Sequence, residues 1–171
     1  FLTNKFSFGG TIKWIHQGLE DEFAEALNFD FGTLYDTGFR TITIGMAISS
    51  IGPEMQFIDQ QFSPPTNFKL GVSMNAFQSN QHSVLTSAEF NHPSDNKERG
   101  NLGLEYEYSP MERIQVALRG GLMTNRDTQD YAFGFGVQFP TSANAGANVN
   151  YSYTDLDVLG GSHQVSVILE Y

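Results

Sequence analysis

Tyr131-Ala132-Phe133-Gly134-Phe135-Gly136-Val137-Gln138-Phe139 sets a large apolar side chain against a small or polar one at every step. Successive side chains leave a strand on opposite faces, so this period of two marks a strand with one greasy face and one slender, polar face. Gly134-Phe135-Gly136 lies inside that alternation with no helix after it, and so resembles a nucleotide-binding loop by composition only.

The same alternation recurs in both directions along the chain. Upstream, Ile114, Val116, Leu118 and Leu122 oppose Gln115, Ala117, Arg119 and Gly121, and Leu102, Leu104, Tyr106 and Tyr108 oppose Asn101, Gly103, Glu105 and Glu107. Val84, Thr86, Ala88 and Phe90 form a weaker row, and Phe68, Leu70, Val72 and Met74 a stronger one against Lys69, Gly71, Ser73 and Asn75. Further back stand Ile42, Ile44, Met46 and Ile48, then Leu27, Phe29, Phe31, Thr33 and Tyr35 over roughly 25–36, then Phe6, Phe8, Gly10, Ile12 and Trp14. Downstream, Ala147, Val149, Tyr151 and Tyr153 precede Val165, Val167, Leu169 and Tyr171. About ten strands are thus expected, most near the 9 to 11 residues that cross a bilayer at a tilt, where soluble strands average about 5 or 6.

The connections point the same way. Short links are expected near 36–38, 78–81, 109–111 and 140–143, and longer ones near 17–24, 51–65, 92–100, 124–130 and 155–161, an alternation typical of outer-membrane barrels. Trp14, Tyr106, Tyr108, Tyr131, Phe139, Tyr151 and Tyr153 lie toward strand ends on the apolar row, as interfacial girdles do. Leu19, Phe23, Ala26 and Leu27 have helical spacing and suggest a turn or two of helix in the first long link. Phe57, Ile58 and Phe62 are too apolar for free solvent and suggest that the longest link folds into the barrel mouth or is held by a partner.

Composition removes several classes of function. The formal charge is −10 with nine Lys and Arg in 171 residues, which leaves no basic surface for nucleic acid. Cysteine is absent, so disulfides and thiolate metal sites are too. No run reaches the roughly 18 apolar residues of a spanning helix, so any crossing of a membrane is by strands. Phe1-Leu2-Thr3-Asn4-Lys5 lacks the plan of a signal peptide, which suggests a processed chain or the later part of a longer one.

Several stretches, in order, resemble the PorV/PorQ group of outer-membrane proteins, itself similar in fold to the FadL fatty-acid channels. They are Phe8 to Ile15, Asp30 to Tyr35, Ser50-Ile51-Gly52-Pro53-Glu54-Met55, Pro65 to Gly71, Gly103 to Tyr106, Leu118 to Gly121, and Tyr151-Ser152-Tyr153 through Leu159 to His163. The resemblance implies an all-β, antiparallel up-and-down transmembrane barrel over 1–171 in the outer membrane of a Gram-negative bacterium. It also implies a FadL-like barrel of about 14 strands, some of them upstream of Phe1. Known members of the group act in type IX secretion, where PorV binds the translocon and cargo. The resemblance therefore points to a non-enzymatic protein serving secretion or surface-complex assembly, with lipid around it, a protein partner at its loops or lumen, and no cofactor. Two other classes stay open: a FadL-like transporter of hydrophobic small molecules, and a structural subunit of an envelope or extracellular assembly.

Candidate sites follow from the inward row. Lys13, Asp30, Lys69, Glu89, Glu105, Glu107 and Arg119 would line the lumen, either as selectivity charges or, since both signs mix, as an internal salt-bridge network. Gly9, Gly32, Gly45, Gly71, Gly103, Gly121, Gly134 and Gly136 share that row, where they could admit a plug, a cargo terminus or an acyl chain, or simply allow the sheet to bend. His16, His82, His92 and His163 are the available bases, and none sits in a nucleophile or zinc signature. Glu20, Asp21, Glu22, Glu54, Asp59, Asp95, Glu98, Asp127, Asp130, Asp155 and Asp157 would rim the outer loops, as solvated acids or as ligands for divalent cations. Val165, Val167, Leu169 and Tyr171 resemble the C-terminal assembly signal of outer-membrane barrels. If they are one, deleting Tyr171 impairs assembly in cells far more than it lowers the stability of detergent-refolded protein; normal assembly with lowered stability would make Tyr171 an anchor only.

Overall fold

The computed structural model describes residues 4–19, 22–57, 60–125, 130–142 and 145–170. Ten strands form one antiparallel up-and-down sheet: β1 (Phe6–Leu19), β2 (Glu22–Asp36), β3 (Thr43–Ile51), β6 (Asn67–Gln78), β7 (His82–Pro93), β8 (Arg99–Met111), β9 (Ile114–Thr124), β10 (Tyr131–Pro140), β11 (Gly146–Asp155) and β12 (Gly161–Glu170). Each is hydrogen-bonded to its neighbour in chain order, with β1 and β12 at the two ends of that order. The link 52–66 contributes a small separate hairpin, β4 (Met55–Phe57) with β5 (Gln60–Phe62), and a short 3₁₀ turn, Asp157–Leu159, precedes β12. Among the described residues no helix is long and apolar enough to cross a membrane.

The ten expected strands are all present, with two corrections at the first link. Residues 17–24 are not a long loop, because β1 runs to Leu19 and β2 starts at Glu22. Nor is there a helix at 19–27: Phe23 pairs with Gly18, Ala26 with Ile15 and Leu27 with Trp14. The cause is legible once Ala24, Ala26 and Asn28 are seen as a small row opposite Phe23, Leu27 and Phe29, which is the same large-against-small alternation with alanine in place of glycine. Trp14 consequently lies inside β1, and His16 with Phe23 occupies the strand end instead.

Chain contacts divide the residues into two compact units, 1–72 with 90–98, and 73–89 with 99–171. In the first, β1, β2 and β3 carry Phe8, Ile12, Trp14, Leu27, Phe29, Phe31 and Met46 on one face, all exposed, with Trp14 at 71%. The opposite face carries Gly9, Thr11, Lys13, Gly32, Asp30 and Ala47. A bulge sets Phe31 opposite Ile48 but Phe29 opposite Ile51, and Ser50 takes it up with φ of 60°.

In the second unit the register can be followed across five strands, with one shift in β8. Tyr106, Leu118, Phe135, Tyr151 and Val165 form one cross-strand line, and Val116, Val137, Val149 and Val167 another. Between them runs Glu107, Ala117, Gly136, Asn150 and Ser166, facing the other way. β8 gains one extra residue between Tyr108 and Met111, where Pro110 sits; proline has no N–H for the ladder and is tolerated at such an irregularity.

Exposure is inverted relative to a soluble sheet, whose apolar face is the covered one. Along β8, Leu102, Leu104, Tyr106 and Tyr108 are exposed while Asn101, Gly103, Glu105 and Glu107 are partly covered. The buried apolar residues among those described are Ala24, Ala26, Met55, Ala117 and Ala147, which is no hydrophobic core.

Candidate functional site

The small-residue face of the second unit holds the densest polar arrangement. Arg119 on β9 donates from Nε to the Glu105 carboxylate on β8, and from Nη1 to Asn150 Oδ1 on β11 at 2.9 Å. Asn150 in turn donates from Nδ2 to Asn148 Oδ1 at 2.8 Å. To reach Asn150 the guanidinium must cross β10, and it does so over Gly136, which is paired with both Asn150 and Ala117. A Cβ at Gly136 would meet Asn150 Oδ1 and stand 3.0 Å from Arg119 Nη1. The polar chain Glu105, Arg119, Asn150, Asn148 therefore depends on the absence of a side chain at one position.

Beside it lies a depression of about 290 Å³, floored by Gly121, Ala132, Gly134 and Ser152 and walled by Arg119, Asn150, Gln164 and Ser166. Two of the five N–H donors of its guanidinium are spent on Glu105 and Asn150, and Arg119 is among the residues that line this hollow. Gly134 cannot carry a side chain either, because its Cβ would come within 2.8 Å of the Tyr151 carbonyl oxygen, and one at Gly103 would strike Ser87 Oγ. Gly9 has open space at the same point. The glycines of this row thus have different causes: three leave room for packed neighbours, whereas Gly9 leaves room for nothing described.

The other inward charges fall into local pairs. Glu89 accepts from Asn101 Nδ2 at 2.8 Å and Glu107 from Ser83 Oγ at 3.1 Å. In the first unit Lys13 and Asp30 form an ion pair, and Asp30 Oδ1 also accepts from the Ser50 backbone N–H at 2.9 Å. Lys69 lies partly covered on the equivalent row of β6. Sequence reasoning named the charges but missed Asn150, Asn101 and Ser83, neutral partners whose position on the same rows was the available signal.

All four histidines lie on the opposite, large-residue face near strand ends. His82 Nδ1 and Tyr106 Oη are 2.8 Å apart, with the His82 ring 4.9 Å from that of Tyr108. His163 meets Tyr151 Oη at 2.8 Å, His16 meets Glu25 at 2.8 Å beside Phe23, and His92 meets Glu98 at 3.3 Å beside Phe90. Each imidazole is engaged with an aromatic ring or a carboxylate. The same face carries an apolar hollow of about 480 Å³ around Gly120, lined by Leu102, Leu104, Leu122, Tyr131 and Phe133.

Of the acidic rim, Glu22 belongs to β2 and Asp155 to β11, while Asp157 opens the 3₁₀ turn. Glu20, Asp21, Asp59 and Asp127 lie outside the described residues, as do Ile58 and Tyr171. No three His, Asp or Glu among the described residues gather as a metal site. The longest link meets the sheet through Met55, 3% exposed and packed on Ala24, Ala26 and Ile15; of the apolar residues expected to seat it, Phe62 is exposed.

Gly136→Ala is expected to break the crossing and cost about 1 to 3 kcal/mol, the penalty for stranding hydrogen-bonding groups, whereas Gly9→Ala stays within about 0.5 kcal/mol. Urea unfolding followed by the fluorescence of the single tryptophan, Trp14, measures both; equal costs would refute the crossing.

No family model, curated protein or solved structure matches this chain.

Proposed function

We propose that this chain is a non-enzymatic outer-membrane β-barrel protein, with its large-residue face in lipid and its small-residue face lining the lumen. The inverted exposure carries the proposal. Leu102, Leu104, Leu118, Leu122, Phe133 and Phe135 stand about half exposed. Leaving six such residues in water forfeits about 5 to 9 kcal/mol, comparable with the entire net stability of an ordinary domain, about 5 to 15 kcal/mol. An apolar surround removes that loss. The aromatic and histidine pairs near strand ends suit the interfacial girdles, where a ring meets hydrocarbon and its polar tip meets headgroups.

Within that reading the lumen is furnished rather than empty. Its charges are of both signs and paired, Lys13 with Asp30 and Glu105 with Arg119, where a selective pore presents a ring of one sign. The link carrying Met55 packs on the same face. These features favour a barrel that works through its loops and occupied lumen, and hence the PorV/PorQ type of role in protein secretion or surface-complex assembly, over a free-diffusion pore. Its partners are outer-membrane lipid and a protein at the loops or lumen.

Val137 lies on the large face and its neighbour Gln138 on the small one. In protein refolded into vesicles, Val137→Arg should cost about 2 to 4 kcal/mol and Gln138→Arg much less. Brominated lipid chains should also quench Trp14, which is exposed on the large face. Equal losses at 137 and 138 with no quenching would reject the membrane reading.

A further inference from the structure

We propose that the segment Gly52–Met55 is a releasable strap, in equilibrium between a seat on β1 and β2 and a state lifted from them. The seat is divided against itself. At one end Met55 is buried on Ala24, Ala26 and Ile15, a single apolar anchor. In the middle Gly52 lies against Asn28, so closely that a Cβ on Gly52 would collide with Asn28 Oδ1 and stand 2.9 Å from the Leu27 carbonyl oxygen. Asn28 is 1% exposed, and neither its Nδ2 nor its Oδ1 has a hydrogen-bond partner among the described residues.

Burying one methionine and burying one unsatisfied amide have opposite signs and similar size, so seating gains little net free energy. Lifting the strap exposes Met55 but lets water or another polar group reach Asn28. Gly52, Pro53 and Glu54 are themselves exposed and bring no further apolar side chain into the seat.

The root of the strap is held independently. Ser50, in the left-handed region at φ of 60°, donates its N–H to Asp30, and its carbonyl accepts from Thr66 Oγ1 at 3.3 Å. Asp30 is in turn ion-paired with Lys13. The strap therefore pivots after Ile51, which is paired with Phe29 at the end of β3, and what it uncovers is the small row Ala24, Ala26 and Asn28. Sheet pairing persists in both states, so the device stands whether or not the sheet lies in a membrane.

Native Met55 reports the equilibrium, because a buried thioether is oxidised by peroxide only when it opens. Wild-type and Asn28→Leu proteins, folded in detergent, are exposed to hydrogen peroxide, and sulfoxide is measured by mass spectrometry at Met55 and at Met111, which is 66% exposed and serves as the dose reference. Leucine is close to asparagine in size and removes the amide. Met55 should oxidise measurably in the wild type and about tenfold more slowly in N28L, with Met111 unchanged. No detectable oxidation of wild-type Met55, or an equal or faster rate in N28L, overturns the proposal. If N28L does not give the heat-modifiable folded band on a gel, Asn28→Ala replaces it with the same expected direction and the same overturning result.

Discussion

A β-ladder allows no compromise about sides. When Val137 pairs with Val116 and Val149, Gln138 must pair with Gln115 and Asn148 and face the other way. A slip of one residue would exchange the faces along a whole strand. Everything else in this molecule depends on that constraint being met with bulky residues on one side and slender ones on the other. Large side chains cannot crowd both faces of strands that coil, whereas alanine, glycine and serine on one face leave room for the few long polar groups to lie across their neighbours.

Arg119 shows how far this room is used. Its guanidinium links three strands by spanning β8 on one side and β11 on the other, over a position on β10 where only hydrogen fits. A charge in such surroundings is tolerable because its partners are in place: a carboxylate for the charge and an amide for a remaining donor. Glu89 and Glu107 are served more cheaply, by Asn101 and Ser83. The polar face is thus a set of short, mostly satisfied chains. Asn67, Asn91, Arg99 and Asn101 each leave one buried polar atom without a partner among the described residues, whereas Asn28 leaves both of its amide atoms so, and it lies under the longest link of the chain.

Alanine favours helices in isolation, and Leu19, Phe23, Ala26 and Leu27 share a helical face. Ala24 and Ala26 belong instead to the slender row of β2, and the ladder to β1, which runs from Phe6 to Leu19, supplies partners along the whole strand. Tertiary pairing outweighs an intrinsic preference of a few tenths of a kcal/mol per residue. Trp14 lost its place at a strand end through the same extension.

The fold class was legible from residues alone because strand periodicity is local: Tyr131 to Phe139 announces its two faces without reference to any other segment, and ten such runs separated by turn residues leave little but an up-and-down sheet. The inward charges were legible for the same reason. Which of them meet was not. Lys13 reaches Asp30 diagonally, Arg119 passes over Gly136 to Asn150, and Met55 comes back onto Ala24 and Ala26 from a link with no periodicity to read. Those contacts are set by register, bulges and the direction a loop takes, which are properties of strands in pairs; no single stretch of sequence carries them, and only the assembled sheet decides them.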